Sequence, residues 1–100
     1  MRKPEALEIM HAFLRDAEKT RIRPEFGPLA ITSVEELVDP EGWVFHFNTQ
    51  KWLETRRFED QIIGPGPIIV LADGRLLEGG SWESFDTVLK RFGVSKTTGV

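Results

Sequence analysis

The spacing of apolar residues changes three times along the chain, and each change marks an element. Ala6, Leu7, Ile9, Met10, Phe13, Leu14 and Ala17 recur at gaps of three and four, while Glu8, Arg15, Asp16, Glu18 and Lys19 take the opposite side. This is the signature of a helix with one broad apolar face, expected over residues 4–19. Pro4 suits its first turn, where a missing N–H leaves no bond unmade. Pro24 and Gly27-Pro28 end it. The period then drops towards two. Leu29, Ile31 and Ser33 alternate with Ala30, Thr32 and Val34, imperfectly, and Glu35-Glu36 suggests an edge or a bulge, so a first strand is expected over 29–38. Asp39-Pro40-Glu41-Gly42 reads as a hairpin turn. In Trp43-Val44-Phe45-His46-Phe47, the clearest strand, the three aromatic residues share one face and Val44 and His46 the other.

Residues 49–63 fit neither period. A helical turn is expected near 50–55 and a second turn at 59–63. Gly64-Pro65-Gly66-Pro67 leads into Ile68-Ile69-Val70-Leu71-Ala72, a continuous apolar run that suits a central strand buried on both faces. Asp73-Gly74 signals a two-residue hairpin turn, with Arg75-Leu76-Leu77-Glu78 as the return strand. Gly79-Gly80 ends the sheet. Ser81 caps a last helix, 82–92, with Glu83 in its first turn, Phe85, Val88, Leu89 and Phe92 at helical spacing and Gly93 as its stop. The expected fold class is α+β: a small antiparallel sheet of about four strands with an N-terminal and a C-terminal helix packed on it, both on one face. Residues 1–100 are expected to form a single domain, with an ordered core over about 4–93 and a flexible tail over 94–100.

Composition narrows the function. One hundred residues suffice for one core. No apolar run nears the ~20 residues that cross a bilayer, and Met1-Arg2-Lys3-Pro4-Glu5 does not begin a secretory signal, so a cytoplasmic protein that does not engage membranes is expected. The absence of cysteine removes disulfides, cysteine-ligated metals and cysteine nucleophiles. The net charge is −3, from 13 basic and 16 acidic residues. Residues 1–24 carry six basic and four acidic side chains, so the remainder is acidic. This argues against nucleic acid as a partner.

Each candidate chemistry has a simpler explanation. A phosphate cradle needs successive backbone N–H groups, which Pro65 and Pro67 lack, so 64–67 reads as a rigid lead-in to a buried strand. Gly79-Gly80-Ser81 reads as a cap rather than an anion site. His11 and His46 lack a metal-ligand spacing. Ser33, Ser81, Ser84 and Ser95 lack the sharp turn of a nucleophile. Asp60, Asp73 and Asp86 suit turns or a helix surface, Glu35 and Glu36 point to opposite faces of a strand, and Arg56-Arg57 and Lys90-Arg91 suit solvated surface. No catalytic residue, metal or cofactor is expected. Of the three tryptophans, Trp43 suits the core, Trp82 the sheet or its rim, and Trp52, among Gln50, Lys51 and Glu54, a partly exposed position.

Gly42-Trp43-Val44-Phe45-His46-Phe47-Asn48, then Leu53 and Phe58, Gly64-Pro65-Gly66-Pro67-Ile68-Ile69-Val70, Asp73-Gly74 and Gly79 together resemble the immunity protein 35, or YrhB-like, family over about residues 29–92. The chain departs from that pattern at Pro65, where a polar residue is usual, and at Trp82, where a smaller one is expected. The resemblance implies a small α+β bacterial protein without catalytic residues that binds and neutralises a toxin encoded beside it; one branch resembles a small chaperone. The leading expectation is therefore stoichiometric binding of a cognate protein toxin, with basic nucleases among the candidates, through an acidic and partly aromatic surface. Trp52, Glu54, Glu59 and Asp60 are the expected partner-binding residues. A holdase for unfolded chains, needing an exposed apolar patch, is the alternative. The chain is expected to be a monomer, or a homodimer through an open edge at 29–38.

Overall fold

A computed structural model describes residues 1–94 of the chain; of the tail expected at 94–100, Val94 is instead tied to the Leu89 carbonyl and packed on the core, and residues 95–100 lie outside the described residues. Helix α1 (Lys3–Thr20) is followed by a single 3-10 turn, strands β1 (Leu29–Val38) and β2 (Glu41–Thr49), helix α2 (Gln50–Thr55), a second 3-10 turn (Phe58–Asp60), strands β3 (Pro65–Leu71) and β4 (Leu76–Gly80), and helix α3 (Phe85–Arg91). The four strands form an antiparallel sheet in chain order, β1-β2-β3-β4.

The alternation along β2 and β3 sorts the core into two halves. Trp43 and Phe45 of β2 and Ile68 and Val70 of β3 meet Ala6, Met10, Leu14 and Ala17 of α1. Val44, Ile69 and Leu71 point the other way and meet Leu37, Leu77, and Val88 and Leu89 of α3. The helices thus cover opposite faces of the sheet, not one. The residues 66–71 of the central strand β3 are buried throughout, which is why they read as an unbroken apolar run. Helix α1 starts where the Glu5 carboxylate accepts the Arg2 N–H at 3.0 Å. Its Phe13 packs edge-on against Phe47 with centroids 5.8 Å apart.

The broken alternation of β1 has a local cause. Ile31 pairs with Phe47 and Ser33 with His46, leaving Thr32 as the extra residue of a bulge. The bulge shifts the phase, so Leu29, Ile31 and Val34 all face α1, and the edge character of Glu35-Glu36 comes from β1 being an outer strand.

Three turns differ from expectation. The first hairpin turn is Asp39-Pro40 alone, since Glu41 and Gly42 already pair with Val38 and Leu37. The second is a three-residue loop: Gly74 N–H donates to the Leu71 carbonyl at 2.8 Å, Leu71 N–H donates to the Arg75 carbonyl at 2.9 Å, and Gly74 takes φ +94°. Helix α3 starts three residues later than Ser81 implies. Its cap is Ser84, whose hydroxyl accepts the Thr87 N–H at 3.3 Å. Glu83 precedes the helix and instead closes a turn on Gly80. The stop at Gly93 is as expected. Gly93 N–H reaches the Lys90 carbonyl and Val94 N–H the Leu89 carbonyl, a Schellman ending with Gly93 at φ +73°.

Candidate interaction surface

Antiparallel order brings the start of β1, the end of β2, the start of β3 and the end of β4 to one end of the sheet, where Leu29 lies opposite Thr49 and Pro65 opposite Gly80. The connection 50–64 and the turn 81–84 both leave from this end. Two buried polar residues at the end of β2 fasten the first of them. Thr49 Oγ1 accepts the Trp52 N–H at 2.9 Å, capping α2, and donates to the Asp60 carbonyl at 2.5 Å. The Asn48 amide accepts Ile62 N–H at 2.9 Å and donates to the Ile62 carbonyl at 3.2 Å, acting as a substitute strand partner. A threonine directly before a helical turn is a capping signal legible in the sequence; the Asn48 bridge is long-range and leaves none.

The four expected binding residues all lie on this connection, in different states. Trp52 is half-buried, and the Arg56 guanidinium covers its ring at 4.4 Å. Arg56 ends α2 in the left-handed region, φ 58°, a place more often held by glycine. Glu54 is exposed and accepts from the Gln50 amide at 3.2 Å. Glu59 is exposed and paired with Arg57; its own backbone N–H, then Arg57, hold its carboxyl below the usual range. Asp60 is turned inward. Thr55 Oγ1 donates to it at 2.6 Å and Lys51 Nζ lies 3.5 Å away, and these two, the hydroxyl foremost, lower its pKa. The segment is therefore neither strongly acidic nor uniformly exposed.

Its exposed apolar residues are others. Trp82 is 85% exposed, Phe58 73% and Ile63 71%, and all three sit on connections at this same end of the sheet. Trp82, rather than Trp52, is the tryptophan displayed to solvent. Its indole lies over Gly80, where a Cβ would come within 2.7 Å of the ring. Gly66 and Gly79 shape the same corner: a Cβ on Gly66 would sit 2.2 Å from the Gly80 carbonyl oxygen, and one on Gly79 2.5 Å from the Val88 side chain. The 64–67 segment is thus a close backbone crossing into β3.

Beside Trp82 an open cleft of about 580 Å³ is lined by Glu78, Gly79, Gly80, Trp82, Glu83 and Arg91. Its charges are engaged internally. Glu83 accepts Arg91 Nε and Nη2 at 2.9 Å each and Gly80 N–H at 2.8 Å, and Arg91 foremost lowers the Glu83 pKa. Arg91 also reaches the Glu78 carbonyl. His46, exposed on the face that α3 leaves open, has Nδ1 3.1 Å from Ser33 Oγ. Among the described residues no three His, Asp or Glu side chains converge to hold a metal, and no helix is long and apolar enough to cross a membrane.

A second surface is charged rather than apolar. From Pro24 to Gln50 the chain carries Glu25, Glu35, Glu36, Asp39 and Glu41 and neither lysine nor arginine. Among the described residues the ion pairs within 4.0 Å use other carboxylates than Glu35, Glu36 and Glu41.

The family model described as Immunity protein 35 matches residues 4–90, nearly the whole described chain, and the protein belongs to that family. No curated protein and no solved structure matches it.

Proposed function

We propose that this member of the immunity protein 35 family neutralises a cognate protein toxin by stoichiometric binding, covering the toxin's active site or substrate groove. Family membership over residues 4–90 carries the reading. The structure supports it with three large apolar side chains, Trp82, Phe58 and Ile63, held in solvent at one end of a rigid sheet, the type of anchor that dominates protein interfaces. In this reading the toxin meets Trp82, Phe58 and Ile63 together with Trp52, Glu54 and Glu59, while Asp60 holds the segment from within. A net charge of −3 favours a toxin with a cationic groove, as basic nucleases have. The protein acts as a cytoplasmic binding partner and performs no chemistry.

The same exposed side chains favour a second reading, a holdase that shields unfolded chains. A tagged pull-down from the native host, read by mass spectrometry, separates the two. One stoichiometric partner encoded beside the gene supports immunity; a broad set of sub-stoichiometric, aggregation-prone proteins supports the holdase.

A further inference from the structure

We propose that the outer edge of β1, from Ser33 to Val38, is a docking line for an extended segment of a partner protein that carries lysine or arginine and joins the sheet as a fifth strand. The inference deepens the toxin-binding reading and rests on it for the partner's identity.

Three observations converge. First, β1 is an outer strand, so every second residue turns its N–H and C=O away from β2. Gln50 N–H donates to the Pro28 carbonyl, which makes Leu29 the first outward residue, and its N–H is already taken by the Glu18 carboxylate at 2.7 Å. The helix therefore closes only the start of the edge. Beyond the bulge at Thr32, Ser33, Glu35, Glu36 and Val38 are exposed, Val38 at 88%, over about 20 Å of strand.

Second, the edge carries charge on both faces. Glu35 lies opposite Val44, whose side chain belongs to the α3 face, and Glu36 opposite Trp43, on the α1 face. An added strand would thus find one carboxylate above it and one below, each directly across from a side chain of its own.

Third, the charge selects the occupant. Two copies of β1 joined edge to edge would bring glutamates against glutamates, which is unfavourable. A cationic strand meets carboxylates that hold no cation of their own among the described residues. The same glutamates that keep copies apart would admit a basic partner.

The test uses the full chain, labelled with nitrogen-15, and a capped valine–threonine peptide with two adjacent central lysines. The peptide is expected to shift the amides of residues 33–38 and protect the outward-facing ones among them, to bind more weakly as salt rises, and to lose about tenfold in affinity for Glu35→Lys/Glu36→Lys. The charge-matched variant Glu8→Lys/Asp16→Lys on α1 should bind as the parent does, and the spectra report that both variants are folded. Shifts centred on β4 or on the α2 end, equal binding to both variants, equal binding of a glutamate version of the peptide, or a dimer built on β1 in the absence of peptide would each overturn the proposal. Immunity itself is read separately, by survival of cells expressing the toxin, so a silent peptide with intact protection contradicts the edge alone, and lost protection by the parent chain contradicts the toxin reading.

Discussion

Thr49 concentrates more of the candidate surface's geometry than any of the residues displayed on it. Its hydroxyl serves the Trp52 N–H and the Asp60 carbonyl at once, with the residue fully buried. Thr49→Val keeps the shape and strands both partners, so unfolding by urea should show a loss of about 1–3 kcal/mol, as a lower midpoint at unchanged slope. Glu83 gives a pH test at the same scale. Arg91 and the Gly80 N–H hold its carboxyl below the ordinary value in the folded chain. The folded state therefore binds this proton less readily than the unfolded state. The stabilisation is complete above the ordinary carboxylate range, about 4.3, and is lost as pH falls through the lower, folded value. The stability difference between the parent and Glu83→Gln should accordingly be level near neutral pH and close in acid, measured by denaturation at a series of pH values.

Among the elements, β3 and its lead-in set the tightest steric demand. Gly66→Ala would drive a methyl group into the Gly80 backbone, and since backbone on both sides must give way, a destabilisation on the order of 3–5 kcal/mol is expected, visible as a collapse of the thermal midpoint. The elements themselves were largely legible. The three- and four-residue gaps marked α1, whose observed span is Lys3–Thr20, and the unbroken apolar run marked the buried central strand. What escaped depended on contacts distant in sequence. The bulge at Thr32 is visible only against the register of β2. Ser81 and Ser84 are both adequate caps, and the choice falls to Ser84 because Glu83 is drawn back to Gly80 and Arg91. The two-face arrangement of the helices follows from the opposite pointing of adjacent residues in β2 and β3, each apolar, which states that both faces need cover but not which helix supplies it. At the surface, the sequence marked Trp52, Glu54, Glu59 and Asp60 as neighbours on one connection. Nothing in it marks Asp60 as turned inward, and it leaves Trp82 on the sheet or at its rim, of which the structure takes the rim, with the residue 85% exposed.

For the whole molecule, the sheet is a wall between two separate apolar halves, Met10 lying in one and Val88 in the other. Met10→Ala and Val88→Ala should each destabilise by about 1–5 kcal/mol, and because they share no contacts, the double variant should equal the sum within about 0.5 kcal/mol. The proposed binding features lie on the rims of this wall: exposed apolar side chains at one end, and an acidic outer strand along one side. The central claim is that these rims serve to bind a toxin. The most direct measurement is a titration of the purified chain against the toxin that the pull-down from the native host identifies, following complex mass and residual toxin activity together. The account predicts a one-to-one complex and activity that vanishes at one equivalent, with Trp82→Ala/Phe58→Asp weakening both. A toxin that stays fully active past equivalence, with no complex formed, would contradict it.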